Sequence, residues 1–127
     1  MVGRCLGQGG FGTVFSALRL SDMKNAAVKV MQKTTIKEWR KIKGRKVPLE
    51  VYFLLSLKNV EGIIRFYDGY NFKYEYLLVM ERPEHCQDLL DYMTRFQGLN
   101  ETVTKAIFRQ VLFFEVAVSS SFFFIIC

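Results

Sequence analysis

Gly7-Gln8-Gly9-Gly10-Phe11-Gly12-Thr13-Val14 is the stretch on which the reading of this chain turns. It contains Gly-x-Gly-x-x-Gly, a spacing that brings backbone N–H groups close to phosphate oxygens in two unrelated settings. In one of them the glycines open a helix and hold a dinucleotide. Here they run into Thr13-Val14-Phe15-Ser16-Ala17-Leu18-Arg19-Leu20, whose β-branched, aromatic and aliphatic residues predict a strand. A hairpin of strand, glycine loop and strand therefore fits better than a helix-opening loop. Gly-Lys-Ser/Thr is absent, which excludes a Walker-type phosphate loop.

Working outward, Ser21 to Asn25 is a polar turn, and Ala26-Ala27-Val28-Lys29-Val30 is a short apolar strand with one lysine inside it. Lys29 has two readings: an edge-strand residue pointing to solvent, or a cation aimed at phosphates under the glycine loop and paired to a carboxylate elsewhere. The glycine loop upstream favours the second. Pro48 suits a first helical turn, and Leu49, Phe53 and Leu57 recur at i, i+4 and i+8, which predicts a helix with that stripe inward and Glu50 at its border. Glu50 can then reach a lysine on a neighbouring strand, or it can simply be a glutamate favoured at a helix start. Strands are expected over Ile63 to Tyr70 and Tyr76 to Glu81, with Pro83 ending regular pairing. Two helices follow, Asp88 to about Phe96 stopped by Gly98, and Asn100 onward with Asn100 as N-cap and Val103, Ala106, Ile107 and Val111 on one face.

With 127 residues, half of them apolar and 24% charged, the chain has the composition of a globular protein and not of a disordered or fibrous one. Its net charge of +6 is concentrated. Lys29 to Lys46 holds eight basic residues against Glu38, so that segment is +7 and the remainder sums to −1. A nucleic-acid binder would spread its positive face over several elements, whereas here the excess sits in one connection, read as a solvated loop. Cys5, Cys86 and Cys127 form no Cys-x-x-Cys pair and indicate a reducing compartment. His85 and Cys86 read as loop residues, since no second histidine exists to complete a metal site. No secretory signal opens the chain, and Val111 to Cys127, apolar but broken by Glu115 and three serines, falls short of the run of about 18 residues that a transmembrane helix needs.

Glycine loop, Ala-x-Lys strand, helix with glutamate, two strands, proline-marked connection and helix, in that order, resemble the small lobe of a protein kinase. Leu6 to Gly12, the Trp39-containing insert before Val47-Pro48-Leu49-Glu50-Val51, and Glu81-Arg82-Pro83-Glu84 followed by Gln87-Asp88-Leu89 are similar to the Pim family of serine/threonine kinases. The resemblance runs from about Leu6 to Leu112. It implies an α+β fold: a small lobe of antiparallel sheet plus helix C over 1–80, a hinge at 81–84, the first helices of a large lobe over 85–112, and an atypical apolar tail at 113–127. It also implies ATP as ligand, contacted through Leu6, Gly7, Gln8, Gly9, Gly10, Phe11, Gly12, Thr13, Val14, Ala27, Lys29, Glu50, Met80, Glu81 and Asp88. In that assignment Val14 and Ala27 line the adenine pocket, Lys29 meets the α/β-phosphates and pairs with Glu50, Met80 is the gatekeeper, and Asp88 lies near the ribose. Pro83 stands where a hinge N–H would serve the adenine, so the carbonyl of Glu81 is the expected main partner.

The departures are equally definite. A kinase transfers phosphate with a His-Arg-Asp loop and an Asp-Phe-Gly triplet that holds magnesium, and neither occurs in this sequence. No catalytic residue is therefore assigned, and Mg²⁺ is expected only in a complete kinase. The tail from Phe114 matches nothing in the family, and the chain reads as a truncated member. Expected partners are ATP and, for the complete kinase, Ser/Thr protein substrates, with nucleic acid and membrane disfavoured, and the expected location is cytoplasmic or nuclear. The alternative is a catalytically inactive lobe fragment acting as a protein-interaction module.

Overall fold

The computed structural model describes residues 1–84 and 89–112. The chain divides into two compact units, Met1–Glu84 and His85–Cys127, so residues 81–84 belong with the first.

In the first unit, β1 (Val2–Gly9) and β2 (Gly12–Arg19) form the glycine hairpin, with Gly9 opposite Gly12. β3 (Lys24–Gln32) returns antiparallel to β2 through a turn in which the Asp22 carboxylate accepts two hydrogen bonds from the Arg19 guanidinium. That guanidinium holds the Asp22 carboxyl below its ordinary range. After a small hairpin, β4 (Trp39–Ile42) and β5 (Arg45–Pro48), the chain enters α1 (Leu49–Ser56) without a loop. β6 (Phe66–Asn71) and β7 (Glu75–Glu81) complete a five-stranded antiparallel sheet in the order β1-β2-β3-β7-β6. β7 lies between β3 and β6 and carries two buried residues, Tyr76 and the fully buried Leu78.

Period-2 alternation sorts the sheet into two faces. Lys29 pairs with Val14 on one side and Leu78 on the other, and Ala27 pairs with Met80, so these five residues share a face. That face packs on the core formed by Met31, Val47, Val51, Tyr76 and Leu78, with Trp39, Phe66 and Leu55 against it. The Tyr76 ring stands edge-on to Trp39, centroids 6.2 Å apart, and its hydroxyl occupies the space a side chain at Gly69 would need. Burial, reinforced by the Asp68 charge, raises the Tyr76 phenol above its ordinary range.

Four expectations need correction. The basic connection is not a continuous loop: residues 39–48 form a hairpin closed by Lys43 and Gly44, whose φ values of 48° and 79° are those of a type I′ turn. Pro48 is the N-cap of α1 and not a residue of its first turn, and Leu57 is the C-cap. The helix buries Val51 most deeply; of the expected stripe Leu57 is buried, while Leu49 and Phe53 are half-buried. The strand expected from Ile63 begins at Phe66, because turns through Val60 and Gly62, the latter with φ of 85°, occupy the residues before it.

In the second unit, α2 (Leu89–Arg95) ends where Gln97 and Gly98 take positive φ and the Gly98 N–H donates to the Met93 carbonyl. Residues 101–112 are helical, and the Asn100 carboxamide accepts from the Val103 N–H at 2.9 Å, the expected N-cap. Val103 and Ile107 are half-buried, whereas Ala106 and Val111 are exposed. The start expected at Asp88 and the tail from 113 onward lie outside the described residues.

Leu78 is fully buried at the centre of the sheet's inner face. Leu78→Ala should therefore cost about 2–5 kcal/mol of stability, the range for a leucine truncation that leaves a cavity. Urea unfolding of the chain followed by circular dichroism measures it, and a change below about 1 kcal/mol would place the core elsewhere.

Candidate functional site

The centre of the site is an ion pair. Lys29 Nζ donates to both carboxylate oxygens of Glu50, at 2.7 and 2.9 Å. The lysine side chain is 15% exposed and the glutamate 41%, so the pair sits at the margin of the core with its carboxylate side open. Three local features place it. β3 alternation turns Lys29 to the sheet's inner face, α1 begins immediately after β5 so that Glu50 lies in its first turn, and Val51 anchors the helix beside it. The Leu49 N–H donates to the Glu38 carbonyl at 3.0 Å, tying the helix start to the segment before the hairpin.

The glycine hairpin supplies the second part. Of the four glycines around its turn, only Gly12 is required by the backbone: it has φ of 123°, and a side chain there would strike the Val30 carbonyl oxygen. A Cβ at Gly7, Gly9 or Gly10 would meet nothing within 4 Å. Those three are dispensable for packing, and what they provide is bare, exposed backbone at the tip of a hairpin. Such backbone suits the close approach of a polyanion. Phe11 at the tip is exposed, and it lines a largely apolar cavity of about 300 Å³ together with Met31, Ile36, Pro48 and Leu49.

The other residues singled out in the sequence fall as follows. Leu6, Gly7 and Gln8 are exposed on β1, Thr13 and Val14 are half-buried on β2, and Ala27 is buried on β3 opposite Met80. Met80 packs on the core cluster. At the end of β7 the Glu81 N–H donates to the Arg65 carbonyl at 2.8 Å, and the Glu81 carboxylate accepts from the Arg65 N–H at 3.1 Å. Both of those groups are thus committed to holding the start of β6. Asp88 lies outside the described residues. Sequence reasoning missed Asn25, whose carboxamide donates to the Glu84 carboxylate at 3.2 Å and ties the start of β3 to the segment after β7. A polar residue in a turn carries no signal of a partner 59 positions away. It also missed Leu78, the residue across from Lys29.

Among the described residues no group of three His, Cys, Asp or Glu side chains is placed to hold a metal ion, and no helix is long and apolar enough to cross a membrane.

Comparison with known proteins agrees with this arrangement. The family model described as protein kinase domain matches residues 1–113. The chain is 39% identical over 106 residues to serine/threonine-protein kinase prk-2 of Caenorhabditis elegans, covering 84% of this chain and 24% of that protein. It is 38% identical over 121 residues to serine/threonine-protein kinase pim-2 of Danio rerio, covering 87% of this chain and 39% of that protein. The chain thus spans well under half the length of these curated relatives. Among solved structures, Rad53 1-466 in complex with AMP-PNP superposes with a TM-score of 0.68 at 26% identity, over 92% of this chain and 29% of that one. A glycine hairpin over a lysine–glutamate pair, on a five-stranded antiparallel sheet matched over this length, establishes that the chain belongs to the protein kinase domain family.

Proposed function

We propose that this chain is the ATP-binding portion of a Pim-like serine/threonine kinase, with γ-phosphoryl transfer from ATP to Ser or Thr hydroxyls belonging to the complete enzyme. The observation that carries the reading is the Lys29–Glu50 pair below an exposed glycine hairpin whose Gly7, Gly9 and Gly10 the fold itself does not require. Rad53, a structural neighbour, was solved with an ATP analogue, which supports the ligand class. The Pim branch rests on Glu81-Arg82-Pro83-Glu84, on the Trp39 hairpin before the helix, and on the kinship to pim-2. An exposed free thiol at Cys5 suits a reducing location, cytoplasmic or nuclear.

The residues present do part of a kinase's work. Lys29 brings a fixed cation to phosphate oxygens, and Glu50 keeps its ammonium from turning away. The bare amides of the hairpin offer donors over the same space. Val14 and Ala27, on the face shared with Lys29, give a flat apolar surface for an adenine ring, and the Glu81 carbonyl supplies its hinge acceptor. Magnesium is not accommodated by these residues, because the sequence has no Asp-Phe-Gly triplet and no catalytic-loop asparagine. No step through the metal is assigned to this chain.

Lys29→Met, in a complete kinase carrying this lobe, should weaken ATP-analogue binding by about 10–100-fold, the scale of a charge-assisted hydrogen bond of about 1.5–3 kcal/mol. Calorimetric titration tests it, and unchanged affinity would reduce the pair to a structural contact.

The glycines separate fold from function. Gly9→Ala and Gly10→Ala should leave the chain as stable or more stable by about 0.4–1 kcal/mol, through a less flexible unfolded state, while weakening nucleotide binding. Gly12→Ala should destabilise by more than about 1 kcal/mol, because its positive φ and the Val30 carbonyl both oppose a side chain. Thermal melts with and without ATP analogue distinguish the two classes, and equal melting losses at all three positions would refute the separation.

Pro83 gives a test of the hinge register. Pro83→Ala, again in a complete kinase, restores an N–H and should tighten ATP-analogue binding about twofold to tenfold, less any loss of rigidity. Weaker binding with an unchanged fold would put the adenine partner at another residue.

A further inference from the structure

Outside the nucleotide site, two strand edges face a common cleft. β6 is the outermost strand of the five-stranded sheet, and β5 belongs to a separate two-stranded sheet. Between them lies a cavity of about 430 Å³ lined by Arg45, Lys46 and Val47 on one side and by Gly69 to Phe72 on the other. The Phe72 N–H donates to Glu75 on β7, so alternation turns the backbone groups of Asn71 and Gly69 toward the outer edge, which is unpaired among the described residues. The Gly69 N–H is capped by the side chain of Asp68 at 2.8 Å. The hairpin segment 37–46 carries Lys37, Arg40, Lys41, Lys43, Arg45 and Lys46 against Glu38 alone. At the tip of the β6–β7 turn, Tyr70, Phe72 and Tyr74 are exposed, and Lys73 lies over the Tyr74 ring.

We propose that this cleft is a docking site for an extended acidic peptide that adds as a strand to the free edge of β6, with its carboxylates held by Arg45 and Lys46. Strand edges recognise another peptide backbone, and alternate side chains of an added strand point to the same wall. The charge is complementary and is held in place, since Val47 is buried in the core and Lys46 lies over the Trp39 ring. Tyr70 and Phe72 give the peptide's apolar positions a surface. These two rings lie side by side, centroids 6.4 Å apart at 26°. The Asp68 carboxylate, the nearby negative group, is engaged by the Tyr70 hydroxyl at 2.7 Å as well as by Gly69. Basic residues near strand edges also serve merely to block aggregation, and a chain in which they do only that would bind no acidic peptide.

The test is fluorescence anisotropy with the full chain and a short labelled peptide of alternating Glu and Val. Binding should fall about tenfold or more in the Arg45→Glu, Lys46→Glu double variant and with added salt, and should be lost when the peptide's amides are N-methylated. Lys24→Glu, a charge change elsewhere on the surface, and Lys29→Met should leave it unchanged, so failure here is separable from failure of the nucleotide reading. Equal binding by the double variant, no binding at all, or tighter binding of oligothymidine through the same residues would overturn the proposal. Should the double variant lose its circular dichroism signature, Arg45→Gln with Lys46→Gln replaces it. Hydrogen exchange on the unaltered chain then decides independently: the peptide should protect residues 69–72, and protection confined to other segments would overturn it.

Discussion

Keeping an ammonium and a carboxylate together at the edge of a small apolar core is the constraint to which the rest of the first unit answers. Lys29 has lost most of its hydration, and a cation so placed is tolerated only when a carboxylate lies against it. The partner must come from a different element, because alternation puts the neighbours of Lys29 on its own strand on the opposite face. That element is α1, and its approach is set by Val51 below and by the β4–β5 hairpin before it. The ion pair and the apolar packing therefore depend on each other. The packing brings the charges into register, and the pair removes the penalty of burying a lysine stem beside Leu78.

The glycine hairpin shows the opposite economy. Where the core uses each side chain, β1 and the turn are exposed throughout, and Gly7, Gly9 and Gly10 leave space unfilled. Gly loses more backbone entropy on folding than any other residue, so three glycines that no contact demands are a cost to stability. In the proposed nucleotide reading they are accounted for, since such binding needs backbone amides uncovered. Gly12 is the exception that proves structural: its backbone lies against Val30 on β3, one residue from Lys29, and holds the hairpin over the pair.

How far the sequence could be read follows from the range of each interaction. Lys29 on an apolar strand and Glu50 at a helix start were legible because alternation and helix-start signals are local, and their pairing was legible as one of two readings. Phe66, not Ile63, begins β6 because the turn through Gly62 takes precedence over the β-branched run Ile63-Ile64, a competition between neighbours that composition does not resolve. The Trp39 hairpin was missed because its strands have four residues each and its exposed positions carry charges that read as a loop. Its one local signal was Lys43-Gly44 between Ile42 and Arg45, a two-residue turn with glycine second. The stripe of α1 holds at Leu57 but misses Val51, because a helix of eight residues has barely two turns, too few for periodicity alone to rank its apolar positions.

That missed hairpin carries more of the architecture than its size suggests. β5 passes into α1 with Pro48 as the junction, and a residue with φ fixed near −57° leaves little freedom between strand and helix. Val47, buried two residues before Leu49, and Trp39, set edge-on against Tyr76, seat the hairpin on the same cluster that holds Val51. The orientation of Glu50 is thus determined from both sides, by the helix core after it and by the hairpin before it. A packing change at Trp39 or Tyr76 would reach the Lys29 ammonium through rigid backbone without touching it. The apolar anchors face inward and the hairpin's cations outward, so one short insert both positions the helix glutamate and gathers nearly all of the chain's excess positive charge on an exposed surface.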